Sequence, residues 1–178
     1  MKVLLHCCCA PCVISCVSAF KAEGIEPITF WYNPNIHPFT EYKNRRDCFF
    51  DYVKSENINI EILNTKNDYG LKTFLNEIYP DTENRCEKCY RMRLEKTAFL
   101  AAEKGYSFST SLLISPYQDH EKIRLVGEEE ASKYKIQFLY RDFRPLFHEG
   151  QSAARARGFY MQKYCGCIFS EEERYQNI

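Results

Sequence analysis

Apolar and polar positions along this chain switch repeatedly between a strand-like and a helix-like pattern. Val3, Leu4, Leu5 and His6 form a short, largely apolar run that reads as a buried strand ending at a group of cysteines. After Pro11, the residues Val13, Cys16, Val17 and Phe20 fall at i, i+3, i+4 and i+7, which predicts a helix, with Gly24 where its C-cap is expected. Residues 25–32 read as a second strand, leading into the polar loop Asn33-Pro34-Asn35. Residues 42–55 suit a helix whose apolar stripe is Phe49, Tyr52 and Val53; 58–63 alternate like a strand, and 71–79 suit a short helix. Cys86 and Cys89 open the next helix, which Leu94, Ala98 and Ala101 continue at helical spacing until Gly105. Residues 108–114 read as a strand stopped by Ser115-Pro116, 119–134 as a charged surface helix, and 136–140 as the last strand. The remaining segment, with Gly150, Gly158 and Gly166, reads as short helices and turns.

Strand and helix alternate through most of the chain, which predicts an α/β fold with a mostly parallel sheet covered on both faces and a short helical C-terminal segment. No repeat, low-complexity tract or linker interrupts it, so residues 1–178 are expected to form one domain. With 24 basic and 24 acidic side chains the net charge is zero, which excludes nucleic-acid binding by bulk basic charge. Hydrophobic residues at 45% and aromatics at 15% exclude a disordered chain. No apolar run approaches the roughly 20 residues of a membrane span, so no membrane partner is expected. Lys2-Val3-Leu4-Leu5 resembles the start of a secretory signal, but His6, Pro11 and the thiols break that pattern, and a cytoplasmic protein is expected.

Cysteine is unusually frequent: there are ten, five of them between Cys7 and Cys16. In a reducing compartment, clustered cysteines are metal ligands or redox groups more often than structural disulfides. Cys86-x-x-Cys89 has the spacing with which two sulfurs grip one metal centre. The strand-end set Cys8, Cys9 and Cys12 is expected at the same sheet edge, where helix N-termini stabilise thiolates. Adjacent cysteines are expected to diverge, so Cys8-Cys9 favours an iron–sulfur cluster over a single zinc, with a structural zinc site as the alternative. Cys165-Gly166-Cys167 can close a strained, redox-active disulfide across one residue, or remain two thiols, or supply two more ligands. Cys16 and Cys48 read as buried structural cysteines, Cys7 faces away from Cys8 if the strand continues, and His6 is either a donor to the cluster ligands or a packed core residue. Cys9-Ala10-Pro11-Cys12 between a strand and a helix also admits a metal-free, thioredoxin-like dithiol oxidoreductase, and a zinc-stabilised RNA-binding module is a third reading.

Taken together these motifs resemble the QueH family of cobalamin-independent epoxyqueuosine reductases. The resemblance runs through His6-x-Cys8-Cys9-Ala10-Pro11-Cys12, Tyr32-Asn33-Pro34-Asn35-Ile36-x-Pro38, Glu41-Tyr42 and Arg85-Cys86-x-x-Cys89-Tyr90-x-x-Arg93-Leu94. It continues in Thr110-x-Leu112-Leu113-x-Ser115-Pro116, Asp142-Phe143-Arg144 and Tyr164-Cys165-Gly166-Cys167; Cys7 is an extra thiol beside the first motif. The resemblance implies a Rossmann-like sheet and the last step of queuosine synthesis, the reduction of epoxyqueuosine to queuosine at the wobble position of a tRNA anticodon. It implies a [4Fe–4S] cluster on Cys8, Cys9, Cys86 and Cys89, a redox-active pair Cys165/Cys167, and an additional iron for which Cys12 is the candidate ligand.

A cluster passes one electron at a time while the epoxide needs two, so a dithiol at Cys165/Cys167 can buffer the mismatch, reset by an external low-potential electron donor. Tyr32, His37, Asp119 and His120 are proton-donor candidates on the edge loops. For tRNA, the basic groups are Lys43, Arg45 and Arg46; Lys88, Arg91 and Arg93; Arg141 and Arg144; and Arg155 and Arg157, with Tyr90, Phe159 and Tyr160 as stacking aromatics. Tyr32, Asn33, Arg93 and Arg144 are the substrate-binding candidates among these.

Overall fold

The computed structural model describes residues 1–63 and 69–176. Four parallel strands, β1 (Lys2–Cys7), β2 (Glu26–Trp31), β3 (Ile60–Glu61) and β4 (Ser107–Thr110), form one sheet in the order β3-β2-β1-β4. Leu4 pairs with Ile28 on one side and Phe108 on the other, so β1 is central, and every residue in it except Lys2 is buried. A strand covered on both faces has no use for alternation, which is why Val3-Leu4-Leu5 is uninterrupted.

The helices are α1 (Ala10–Ala22), α2 (Phe39–Ser55), α3 (Leu71–Ile78), α4 (Arg85–Lys104), α5 (His120–Tyr134), α6 (Phe147–Ala156) and α7 (Ile168–Tyr175). α1 packs against α6 and α4 against α5, and both α1 and α4 touch β1. α4 ends at Gly105, whose φ of +68° is the left-handed cap that a side chain disfavours. α5 starts at Asp119, whose carboxylate accepts the Lys122 amide at 3.1 Å.

Three strand expectations change. The strand expected over 58–63 pairs only at Ile60 and Glu61. The strand expected over 108–114 stops at Thr110, and Ser111–Ile114 turn as a 3₁₀ helix in which the Thr110 hydroxyl accepts the Leu112 amide at 3.2 Å. All four turn residues are buried, so their apolar run does not distinguish a turn from a strand. The strand expected over 136–140 reduces to one parallel bridge between Phe108 and Phe138. Phe138 instead packs on Phe108 and fills the space beside Gly127 of α5, where a Cβ would meet its ring at 2.4 Å.

Candidate metal centre and redox loop

Parallel strands place all their carboxyl ends on one edge, and the connecting helices begin there. β1 ends at Cys7, the chain bends at Cys8, and α1 starts with Cys9 at its N-cap and Cys12 in its first turn. The bend replaces the strand's alternation and turns the neighbouring sulfurs to the same side: Cys8 Sγ and Cys9 Sγ are 3.8 Å apart. The expectation that they diverge is therefore overturned. With Cys12 they form a group whose sulfurs all lie within 4.8 Å of one another, and among the described residues no other three His, Cys, Asp or Glu ligands meet so closely. A tetrahedral ion with metal–sulfur bonds near 2.3 Å spaces its ligands about 3.8 Å apart, so this triad can bind a metal.

The triad is held from two sides. Ser111, in the 3₁₀ turn after β4, accepts the Cys8 amide at 3.2 Å and its hydroxyl lies 3.6 Å from Cys8 Sγ. Gln162 Nε2 lies 3.1 Å from Cys9 Sγ and 3.6 Å from Cys12 Sγ, while its Oε1 is buried with no hydrogen-bond partner among the described residues. Hydrogen bonds from Cys12 and Cys9, opposed by burial and helped by Ser111, hold Cys8 well below the usual thiol range. Burial pushes Cys9 up, and the bonds to Cys8 and Cys9 together with burial push Cys12 up. Among the three, Cys8 is the sulfur whose charged form its neighbours favour.

The second sulfur group gathers at the start of α4, where Cys86 is exposed and Cys89 buried. Cys89 and Cys167 share a small apolar cluster with Phe74 and Ile78. Cys86 and Cys89 both feel the charges of Cys165 and Cys167. Burial raises Cys86, and burial raises Cys89 to about 12, so desolvation outweighs the helix dipole that was expected to lower them. Exposed Cys165 has the Gln118 amide 3.5 Å from its sulfur.

Arg93 lies between the two groups electrostatically. It is 1% exposed; burial works against its charge, but Cys89, Cys165 and Cys8 outweigh burial and raise its pKa. Its Nε donates to the Cys89 carbonyl at 3.0 Å, and its Nη2 is buried with no partner among the described residues. A guanidinium buried against sulfur is held by anionic ligands, thiolates or their metal complexes.

The loop at 164–167 is fixed by α2. Arg45, 2% exposed, donates to the carbonyls of Tyr164 and Cys165, both at 2.9 Å, and to Glu41 at 2.6 Å. Glu41 also accepts the Tyr160 hydroxyl. The His37 amide donates to the Gly166 carbonyl at 2.7 Å, and the Tyr164 hydroxyl to the His37 carbonyl at 2.6 Å.

Other expected residues have structural partners. His6 is a packed core residue: its ring bonds Thr110 Oγ1 at 2.9 Å and the Tyr32 carbonyl at 3.1 Å, and burial with the Arg93 charge lowers it to about 4. Cys7 and Cys16 are buried and donate to the carbonyls of Leu5 and Cys12; Cys48 is half-buried. Asn33 is buried and donates to the Cys7 carbonyl at 2.8 Å, while Tyr32 is half-buried beside it. Burial removes Tyr90 from stacking; its hydroxyl donates to Gln118 Oε1 at 2.9 Å and accepts the Asp119 amide. His37 and His120 are buried against the carbonyls of Pro34 and Ser115.

The basic groups are largely paired with carboxylates: Lys43 with Asp47, Lys88 with Asp81, Arg91 with Glu129, Arg141 with Glu23, Arg144 with Asp142 and Arg157 with Glu56. Arg45 is a buried strut rather than a phosphate contact. Sequence reading missed Gln118, Ser111 and Gln162, whose types carry no motif. It also missed exposed Lys163, two residues before Cys165, and Tyr117, 84% exposed and next to Gln118.

The family model for "Epoxyqueuosine reductase QueH" matches residues 3–173. The chain belongs to the QueH family. It is 35% identical to the QueH epoxyqueuosine reductase of Dehalococcoides mccartyi over 175 residues, 98% of this chain and 94% of that one. It is 35% identical to that of Thermotoga maritima over 179 residues, 97% and 91% of the two chains. A crystal structure of a predicted subunit of tRNA methyltransferase from Methanocaldococcus jannaschii shares the fold, with a TM-score of 0.51, 14% identity and 90% of each chain covered. The sulfurs of this QueH chain fit an iron–sulfur group in donor type, and the unpartnered Nη2 of Arg93 supplies the buried positive charge that an anionic thiolate centre offsets.

Proposed function

We propose that this chain is an epoxyqueuosine reductase acting on tRNA, and that its whole length works as one metal-binding reductase domain. The observation that carries the reading is the Cys8/Cys9/Cys12 triad, its sulfurs all within 4.8 Å of one another, in a chain of the QueH family whose buried Arg93 faces the charges of Cys8, Cys89 and Cys165. The epoxide takes up two electrons and two protons, both carbon–oxygen bonds break, and the oxygen leaves as water. Cys8, Cys9, Cys86 and Cys89 would hold a [4Fe–4S] cluster and Cys12 an additional iron; when bound, these groups would supply single electrons and a Lewis acid.

The chain's own residues do the rest. Oxidation of the Cys165/Cys167 dithiol to a disulfide releases two electrons and two protons, the quantity the epoxide consumes, and an external low-potential donor restores the dithiol. Gln162 and Ser111 orient the triad sulfurs, and Gln118 holds Cys165. Tyr32, Asn33 and Arg144 remain the substrate-side candidates; buried Arg93 acts on the sulfurs rather than on a phosphate. Around exposed Cys165, Tyr117 offers a stacking face and Lys163 an exposed positive charge for an anticodon loop.

A metal-free dithiol oxidoreductase on Cys9/Cys12 fits less well. Both thiols are buried and both are pushed up, whereas an attacking cysteine is accessible and lowered. The test is the iron, sulfide and zinc content of anaerobically purified protein, with its visible spectrum before and after dithionite and after epoxyqueuosine tRNA. Iron with sulfide and a bleached spectrum that recovers on adding that tRNA, and not on adding queuosine tRNA, supports the reading. Zinc without sulfide transfers support to an RNA-binding module, and no metal after reconstitution to the dithiol oxidoreductase.

A further inference from the structure

We infer that Arg45 is a positioning residue for the Cys165/Cys167 thiols: its guanidinium, buried and anchored on Glu41, holds the loop in the backbone geometry from which the two sulfurs can join. The inference rests on Cys165 and Cys167 being the redox pair.

Three consecutive carbonyls of the loop are held from one side. Those of Tyr164 and Cys165 accept from Arg45 at 2.9 Å each, and that of Gly166 accepts from the His37 amide at 2.7 Å. The guanidinium also lies over the Tyr164 ring, 5.6 Å from its centroid, and the Tyr164 hydroxyl returns to the His37 carbonyl at 2.6 Å. Arg45 has no freedom to drift, because Glu41 one turn earlier takes its Nε at 2.6 Å and is itself held by the Tyr160 hydroxyl. A planar fork with fixed donors fits this task, and a lysine cannot satisfy both carbonyls and Glu41 in the same way. None of these contacts involves a sulfur atom, so the clamp is available to the dithiol and to the disulfide alike.

Two cysteines separated by one residue join only through a restricted backbone, and here that residue is Gly166 at φ +141°. A loop already ordered in that conformation gives its thiols a higher effective concentration than a loose one. The reaction affected is dithiol to disulfide with loss of two protons and two electrons, the electrons passing to the epoxide in turnover or to oxidised glutathione in a redox buffer. Loosening the clamp therefore shifts the pair toward the dithiol.

The experiment uses the full chain, the substitutions R45K and R45Q, and glutathione buffers of graded ratio under anaerobic conditions. Alkylation and peptide mass spectrometry read the fraction of Cys165–Cys167 disulfide, and circular dichroism reads the fold. We expect the glutathione ratio that half-oxidises the pair to shift at least tenfold toward dithiol in R45Q and several-fold in R45K, with the helical spectrum unchanged. If R45Q does not fold, R45K alone decides. A shift below twofold in the folded variants, with wild type forming the disulfide, overturns the role of Arg45. If wild type forms no such disulfide in any buffer, the redox-pair reading fails and the inference falls with it.

Discussion

Gln162 donates its side-chain amide to the sulfur of Cys9 at 3.1 Å, across 153 residues of chain. This bond ties the C-terminal strap that carries Cys165 and Cys167 to the cysteine loop at the end of β1. It brings into contact two cysteine-bearing segments that are far apart in sequence. Partners that orient metal ligands typically matter ~10–100-fold in metal affinity or activity. Gln162→Leu is expected to weaken iron retention within that range while the thermal unfolding midpoint changes little. A chelator-competition titration measures it, and retention equal to wild type contradicts the assignment.

Gly166 is a position where the loop strains against a side chain. Its φ is +141°, and an added Cβ would meet Arg45 Nη1 and Ile36 Cγ1 at 3.3 Å. Strain of this kind costs about 1–3 kcal/mol, so Gly166→Ala should lower Tm by roughly 2–12 °C. Thiol-alkylation rates at Cys165 should change at the same time. Unaltered melting and unaltered alkylation together would mean that the loop is not held as described.

His6 makes stability depend on pH. Its folded-state pKa is lowered from 6.5 to about 4, chiefly by burial and next by the charge of Arg93, so between those values the unfolded chain binds the extra proton. Stability is fully present above pH 6.5 and is lost as pH falls toward 4, by about 3 kcal/mol in total. The metal-free protein should melt progressively lower across this window, and His6→Asn should flatten that part of the profile. A wild-type profile that is level from pH 7 to 4.5 would exclude the assignment.

Much of the fold was legible from periodicity. Unbroken apolar residues in β1, helical spacing in α1 and α4, and Gly105 after α4 reflect burial and backbone conformation, and these are local. Sequence did not separate the 3₁₀ turn Ser111–Ile114 from the strand before it, because Phe108 to Ile114 are buried throughout and no Gly or Pro breaks the run before Pro116. Nor did it reveal that 136–140 forms only a bridge at Phe138, since pairing depends on a partner strand. In the site, the cysteines announced themselves by type and spacing. Their environment did not: the convergence of Cys8 and Cys9 comes from a bend, and Gln162, Gln118 and Arg45 act through contacts over long stretches of chain. Some carboxylate partners of the basic clusters lie far away in sequence, as Glu23 does for Arg141 and Glu56 for Arg157, and periodicity does not reveal those pairs.

The surface beside Cys165 carries a tRNA prediction that differs from those clusters. Lys163 is exposed, and Tyr117 is 84% exposed next to the glutamine that touches Cys165. Lys163→Ala should weaken tRNA binding and reduce the slope of log affinity against log salt by about one. Tyr117→Ala should cost about 1–3 kcal/mol if one base stacks on its ring. Filter binding across a salt series distinguishes the two, and wild-type curves for both variants would move the interface elsewhere.

Turnover is the direct test of an epoxyqueuosine reductase. Anaerobically reconstituted protein is incubated with tRNA bearing epoxyqueuosine and a low-potential reductant, and the digested nucleosides are weighed by mass spectrometry. Conversion to a nucleoside lighter by one oxygen atom, abolished or limited to a single turnover in the double variant Cys165→Ser/Cys167→Ser, is the predicted result. Epoxyqueuosine recovered unchanged from iron- and sulfide-loaded protein would contradict it.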